Sequence, residues 1–373
     1  MNKPSTDKIV RRVLLAFLIY LALGFFLPPL LPMQSETAAP VFNSMAAGAR
    51  VRCIDDNQEA LLWRLRLIDT ARESVVLSTY DFTDGEIGKD IMAALLAASD
   101  RGVEVRILVD GMNGALHLRG SSAFRALIAR ENVEAKFYNP INLLTPWKSN
   151  YHLHDKYLIA DELAFLVGGR NVDEPSLGSG AGRKNADRDV LVWFADDAEP
   201  TLLTQLRGYS DSVWELECSR TQSYRGQSKK VSAAEAELYD RYRANGTYSF
   251  DAADWRAETI AADCVSLLVN PVNAGNKTPE LWDALCDVMN GGSDIAIVPP
   301  ISSSTVICMR TSLRWLRMAA SNFIRTPYRT ERMRSAARTT STPSLAFSRP
   351  ARRYTNGRAI ARCIRKRYWS TMI

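Results

Sequence analysis

Two of the three histidines in this 373-residue chain fall in one short stretch, Tyr151-His152-Leu153-His154-Asp155-Lys156. Asp161 follows five residues after Lys156, and then comes Gly168-Gly169-Arg170-Asn171. On extended backbone, residues two apart share a face, so His154 and Lys156 are expected side by side. An imidazole beside an ammonium suits phosphate chemistry. The imidazole can attack phosphorus or shuttle a proton, while the ammonium neutralises phosphoryl oxygens. Asn171 can donate its amide to another oxygen, and Gly168 and Gly169 leave room for close backbone approach to a phosphate.

Each residue alone has a plainer reading. His154 could be a satisfied core histidine, Lys156 a solvated charge and Asp161 a turn residue. It is the full set at this spacing that points to a site. His152 shares the face of His154 without a slot in the pattern and reads as structural. His117, after "DGMNGA", reads the same way. Asp81 and Asp110 end strand-like runs, where aspartates commonly form turns. The run "GRKNADRD" (182–189) is most simply a solvated loop.

The pattern H-x-K-x4-D followed by G-G-x-N resembles the HKD motif of the phospholipase D superfamily. Its surroundings, over roughly residues 52–300, are most similar to bacterial cardiolipin synthases. That resemblance implies a layered α/β fold, a central mixed sheet flanked by helices, built as two similar halves. It also implies a role for each matched position. His154 would be catalytic, one motif's histidine serving as the nucleophile that forms a phosphohistidine and the other's as general acid and then base. Lys156, Gly169 and Asn171 would bind phosphate. Asp161 would complete the catalytic set in a structural or orienting role. Asp173 or Glu174 would hydrogen-bond a catalytic imidazole; "PSLG" (175–178) departs from the aromatic pair common there, so both acids stay open. No metal and no cofactor are implied. The substrate would be phosphatidylglycerol or a similar phospholipid.

The surrounding elements must position these groups. Helical spacing in "NQEALLWRLRLIDTARES" precedes the strand-like "VVLSTYDF", and the amphipathic "GEIGKDIMAALLAASDRG" precedes "VEVRILVD". "SAFRALIAREN" and "VEAKFY" continue the alternation, which argues for helices packed on a sheet. "KYLIADELAFLVGGRNV" reads as two strands joined by a turn near Asp161–Glu162. "RDVLVWFAD" adds a strand and "AEPTLLTQLRGYSDSVWELE" a helix. After a polar stretch the pattern restarts with "VSLLVNP", "KTPELWDALCDVMNGG" and "SDIAIVPP". The expected organisation is an N-terminal anchor or signal segment at 1–32, a linker at 33–50, and a first half at 51–218. A connecting segment at 219–260, the opening of a second half at 261–300 and a basic tail at 301–373 complete it.

The N-terminal run "VLLAFLIYLALGFFLPPLLP" holds 20 residues without a charge behind Lys3, Lys8, Arg11 and Arg12. That length spans a hydrocarbon core. A basic flank on the cytoplasmic side would leave the rest extracytoplasmic, a single-pass protein of the bacterial cell membrane. A cleaved signal peptide is the alternative. The six cysteines (53, 218, 264, 286, 308, 363) are scattered without C-x-x-C spacing, which argues against a zinc knuckle or disulfide framework.

The net charge of +6 hides two compositions. Residues 301–373 carry 15 arginines and Lys366 against one acid, Glu331, and contain no histidine, so no second H-x-K motif exists as written. Pairing the third base of each codon with the first two of the next gives a preceding frame. In it, "CIRKRYWSTM" permits "H-T-K-T-V-L-V-D-D", which is the missing pattern. "PPISSSTVICM" likewise permits "P-Y-I-I-L-N-R-Y-M-Y", and residues 326–341 permit another family-like run. A frame slip near Val298–Ile301 is therefore expected, leaving a truncated second half and a poorly ordered tail. Three functions follow for comparison: a phosphatidyltransferase impaired by loss of its second motif, a phosphodiesterase or nuclease acting as a homodimer with one motif per chain, and a non-catalytic membrane protein with a basic binding tail. Nucleic acid is not the expected partner of the first.

Overall fold

The computed structural model describes residues 6–28, 49–195, 201–226, 228–246, 252–262, 265–269 and 272. These fall in the first of two units into which the chain divides, residues 1–278 with 369–373. The expected helix at 277–292, the strand at 293–300 and the basic tail lie outside the described residues, as does most of the 33–50 linker.

Helix α1 (Thr6–Phe26) carries the N-terminal apolar run. Over Asp7–Phe26 it is long and apolar enough to cross a membrane, and none of that span is buried against the protein. Strand β1 (Ala49–Ile54) leads into α2 (Asn57–Thr70), whose first turn is capped by the Asp56 carboxylate accepting from Glu59 N at 2.9 Å. Then follow β2 (Ser74–Thr79), α3 (Glu86–Asp100) and β3 (Glu104–Asp110). Gly102, at φ +89°, ends α3 in a left-handed turn that a side chain would resist. A short helix α4 (Gly111–Asn113) runs into a single wide turn over 114–118, followed by α5 (Ser122–Leu127) and β4 (Val133–Tyr138). Strands β5 (Tyr157–Ala160) and β6 (Ala164–Gly168), helix α6 (Glu174–Leu177), strand β7 (Asp189–Phe194) and helix α7 (Thr201–Trp214) follow. Last come β8 (Ser219–Gln222), α8 (Lys229–Asn245), α9 (Ala252–Glu258) and β9 (Ile260–Ala261).

All nine strands join one sheet in the order β8-β4-β3-β2-β5-β6-β7-β1-β9. The neighbours β2, β3 and β4 run parallel, the remaining pairs antiparallel. This is the mixed α/β sheet flanked by helices that the sequence implied. The central strands are buried on both faces, which is why they read as unbroken apolar runs rather than alternating ones. Trp63, Leu67, Ile91, Leu95, Phe124 and Phe137 fill one main core beside the sheet.

The stretch expected to be a connecting segment, 219–260, is built into this same body. Strand β8 extends the sheet beyond β4, and β9 pairs with β1 at the far edge. Helix α8 packs on α3 and α5. It is polar along most of its length, so few apolar contacts mark its docking: Val231 and Leu238 are its buried apolar residues. Ion pairs supply the rest, from Lys89 to Glu237 at 2.8 Å, Arg130 to Glu235 at 2.6 Å, and Arg241 to Glu86 and Asp90 at 2.7 and 3.0 Å. The expected strand at 265–271 is not formed among the described residues 265–269. Val272 instead packs with Leu108, Leu153 and Trp214, and its carbonyl accepts from Tyr138 Oη at 2.7 Å.

Candidate active site

The three parallel strands end at Thr79, Asp110 and Tyr138 on one edge of the sheet. Because β5 is antiparallel to β2, with Ser78 opposite Tyr157, its incoming residues His154–Lys156 arrive at that same edge. Strand β6 runs back antiparallel to β5, so Gly168 returns there, and Gly168 N donates to Lys156 O at 3.2 Å. Asn171 follows, and its side-chain Oδ1 accepts from Asp81 N at 3.3 Å. Topology thus brings His154, Lys156, Gly169 and Asn171 to one edge, on two chain segments, the approach to β5 and the exit from β6.

Tyr80 is the floor of this arrangement. The ring of His154 packs 4.8 Å from the Tyr80 ring, that of His152 lies edge-on at 6.1 Å, and Lys156 Nζ sits 5.5 Å over the same ring. Lys156 Nζ also donates to His154 O at 2.7 Å, so the ammonium folds back toward the histidine. Burial, and then the neighbouring Lys156 charge, push the His154 pKa down to about 4. Its imidazole is therefore neutral across the physiological range, the state a nucleophile needs. Burial likewise lowers Lys156 to about 8, with the carboxylates of Asp155, Asp187, Asp173 and Asp110 opposing the shift.

Asp110 is fully buried and does more than form a turn. Its carboxylate accepts from Leu153 N at 3.1 Å, from Met112 N at 3.1 Å and from His152 Nδ1 at 3.1 Å. That hydrogen bond raises the His152 pKa, outweighing partial burial. Two imidazoles two residues apart are thus pushed in opposite directions. His117, expected to be structural, donates from Nδ1 to Asp81 at 2.7 Å, one residue from Tyr80.

Of the two candidate orienting acids, Asp173 is buried and lies close enough to Lys156 to raise its pKa. It also caps α6, accepting from Ser176 N at 2.8 Å. Glu174 turns away to Lys184 at 2.9 Å and Gly180 N at 3.1 Å. The loop 182–189 is not merely solvated. Asp187 is half-buried, its pKa raised by that burial, and its carboxylate occupies the space a side chain at Gly169 would take. Asp189 does the same at Gly168 and is fully buried between Arg64, at 2.8 Å, and Arg170, at 3.4 Å. The two glycines therefore make room for these carboxylates.

Asp161 is the exception. It sits at the opposite end of β5, in the turn to β6, with φ at +49°. Its carboxylate accepts from Arg72 N at 2.7 Å, Glu73 N at 2.9 Å and Ser74 N at 2.8 Å. Four strand residues lie between it and Lys156, so the two are about 16 Å apart at the rise of an extended chain. The expectation that it joins the catalytic set is corrected: it pins the turn to the start of β2, and its part is structural.

Sequence reasoning passed over Tyr80 and gave Asp110 and Asp187 plainer readings. For Asp110 a signal was available, since aspartates at the ends of successive strands of a parallel sheet, here Asp81 after β2 and Asp110 at the end of β3, converge on one edge. Among the described residues, no group of three or more His, Cys, Asp or Glu side chains is arranged to hold a metal ion.

Residues 65–214 match the family described as cardiolipin synthase, PLD-like domain. Cardiolipin synthase C of Escherichia coli K12 is 27% identical over 171 residues, covering 43% of this chain and 36% of that protein. Cardiolipin synthase B of the same organism is 27% identical over 138 residues, covering 36% and 33%. The match thus spans about a third of the length of these relatives. Among solved structures, the phospholipase D family member Nuc from Salmonella typhimurium aligns over 47% of this chain and 99% of its own, at 24% identity and a TM-score of 0.37. Over residues 65–214 the chain is thus similar to the PLD-like domain of cardiolipin synthases.

Proposed function

We propose that the chain is a phospholipase D-type phosphatidyltransferase acting on phosphatidylglycerol or a similar phospholipid, and that it holds one of the two half-sites the reaction needs. The observation that carries this is the His154 imidazole packed on Tyr80, with the buried Lys156 ammonium folded toward it. His154 attacks phosphorus, forming an N–P bond as the P–O bond to the departing alcohol breaks. That alcohol takes a proton from a general acid. An acceptor hydroxyl then gives its proton to the same group, attacks phosphorus and frees the imidazole. Lys156 and Asn171 hold the non-bridging oxygens through both steps, and Asp173 supports Lys156.

The proton-handling group is the half that H-x-K-x4-D supplies only once in this sequence. One imidazole cannot serve as neutral nucleophile and protonated acid together. The chain alone is therefore a weak catalyst, unless two copies share a site. The minus-one reading of residues 301–373 explains the loss as a frame slip near Val298–Ile301, and the coding DNA tests it: a frame without a second H-x-K pattern removes that explanation.

The apolar N-terminal helix fits a substrate that resides in a bilayer, with the catalytic part extracytoplasmic. The experiment is phospholipid transfer by the full chain in membranes containing phosphatidylglycerol, with and without His154→Ala. Transfer falls to background in the variant; transfer unchanged by the substitution removes His154 from the mechanism.

A further inference from the structure

Among the described residues outside α1 and the adjoining Leu27, the exposed large apolar side chains are Met112, Leu116, Ile141, Leu143, Leu144 and Trp147. All six fall on two segments, those that follow β3 and β4, at the sheet edge that carries His154. Leu116 is 72% and Leu144 75% exposed, so these are whole side chains in solvent, not the rims of buried ones. A single exposed leucine needs no explanation, but six gathered at one edge do.

The 139–151 loop is built to present them. Asn139 ties its two ends, donating from Nδ2 to Lys148 O at 2.7 Å and Tyr151 O at 3.0 Å. Asn142 shapes the tip, its side chain accepting from Leu144 N at 2.9 Å and its carbonyl from Thr145 N at 3.0 Å. His154 lies three residues beyond the tied end. The loop also lies against α1. Tyr20 Oη donates to Leu144 O at 2.6 Å, Asn150 Nδ2 donates to Phe25 O at 3.0 Å, and the Tyr20 and Trp147 rings meet edge to face at 6.4 Å. Gly24 faces Pro146 so closely that a side chain there would strike the proline ring.

These contacts set the depth of the loop. At the rise of an α-helix, Tyr20 lies about 9 Å below Phe26, where the apolar span ends. Whatever touches Tyr20 in a membrane-crossing α1 therefore sits about 9 Å inside the boundary between headgroups and acyl chains. That is the depth at which interfacial segments bury apolar faces. Lys148, exposed at the loop's base, is placed to meet anionic headgroups.

We propose that Ile141, Leu143, Leu144 and Trp147 insert into the leaflet through which α1 leaves the membrane, with Met112 and Leu116 beside them, so that the His154 edge faces the lipid headgroups directly. This docking deepens the proposed function, supplying substrate along the membrane plane. Its test does not need turnover.

Benzophenone-bearing phenylalanine is placed singly at Leu143, Leu144 and Trp147 of the full chain, at Leu14 within α1, and at Glu162 on the opposite sheet end. Cells are grown in radioactive phosphate and irradiated, and label is read on the purified chain. Phospholipid label several-fold above the Glu162 level at 143, 144 and 147 supports docking, and it does so even if His154→Ala shows no transfer to lose. Label at Leu14 with none at the loop overturns docking while leaving the transferase reading intact. No label at Leu14 or the loop overturns docking together with the membrane span. Crosslinking of the loop to a protein of discrete mass, or to a second copy of the chain, also overturns it.

Discussion

At the scale of single residues, the site is a set of pKa values forced apart by position. His154 loses basicity through burial and the Lys156 charge; His152 gains it from Asp110. Proton NMR of the imidazole ring hydrogens should show His154 titrating near pH 4 and His152 above the ordinary imidazole range. Asp110→Asn should bring His152 back down. The stability consequence has a definite sign. A histidine whose folded pKa is raised stabilises the fold fully below its unfolded value and loses that contribution as pH rises through the folded value. Urea midpoints of wild type and His152→Gln should therefore differ most below pH 6.5 and converge above the His152 titration. Asp161 belongs to a different ledger. It satisfies three backbone N–H groups far from the site, so Asp161→Ala should cost about 1–3 kcal/mol, read by denaturant unfolding. The His154 titration should stay where it was; movement of that midpoint would put Asp161 back into the site.

At the scale of elements, the groups gathered at the site come from several connections that share one sheet edge. Four segments meet there: the ends of β2 and β3, the approach to β5 and the exit from β6. Helix α8 shows the same principle for stability. It joins the core through a few apolar side chains, of which Leu238 is fully buried. Leu238→Ala should destabilise the first unit by about 2–4 kcal/mol in thermal or denaturant melts, the range for a large-to-small change in a packed core. A loss within a few tenths would mean that α8 is the detachable linker its composition suggested. That composition explains why it was passed over. Helical periodicity is legible when burial selects apolar residues, and this helix docks largely by polar pairs: its Arg241, Tyr239 and Tyr242 with Glu86, Asp100 and Asp69, and its Glu237 and Glu235 with Lys89 and Arg130.

At the scale of the whole molecule, the proposed function reads the described residues as one half of a two-part site. Joining the coding frame at Val298–Ile301 to the minus-one reading would restore a second imidazole and ammonium. General acid–base help of this kind is worth about a hundred- to ten-thousand-fold. The frame-restored chain should exceed the present one in phosphatidylglycerol transfer by that order, measured side by side in the same membranes. Equal rates would show that the single motif already suffices.

The sequence by itself determined the α/β alternation, the apolar N-terminal span, and the His154, Lys156 and Asn171 set. Each is written locally, as a period, a length or a spacing. It also supplied the charge break after residue 300, which composition alone reveals. Only the tertiary structure decided which aspartates matter. Asp161 stands inside the motif yet sits at the far end of β5, because one short strand carries the chain across the sheet. Asp110, Asp173 and Asp187, spread over 78 positions of sequence numbering, meet around Lys156. Parallel and antiparallel pairing choose which strand ends share an edge, and that choice depends on contacts between segments far apart in the chain.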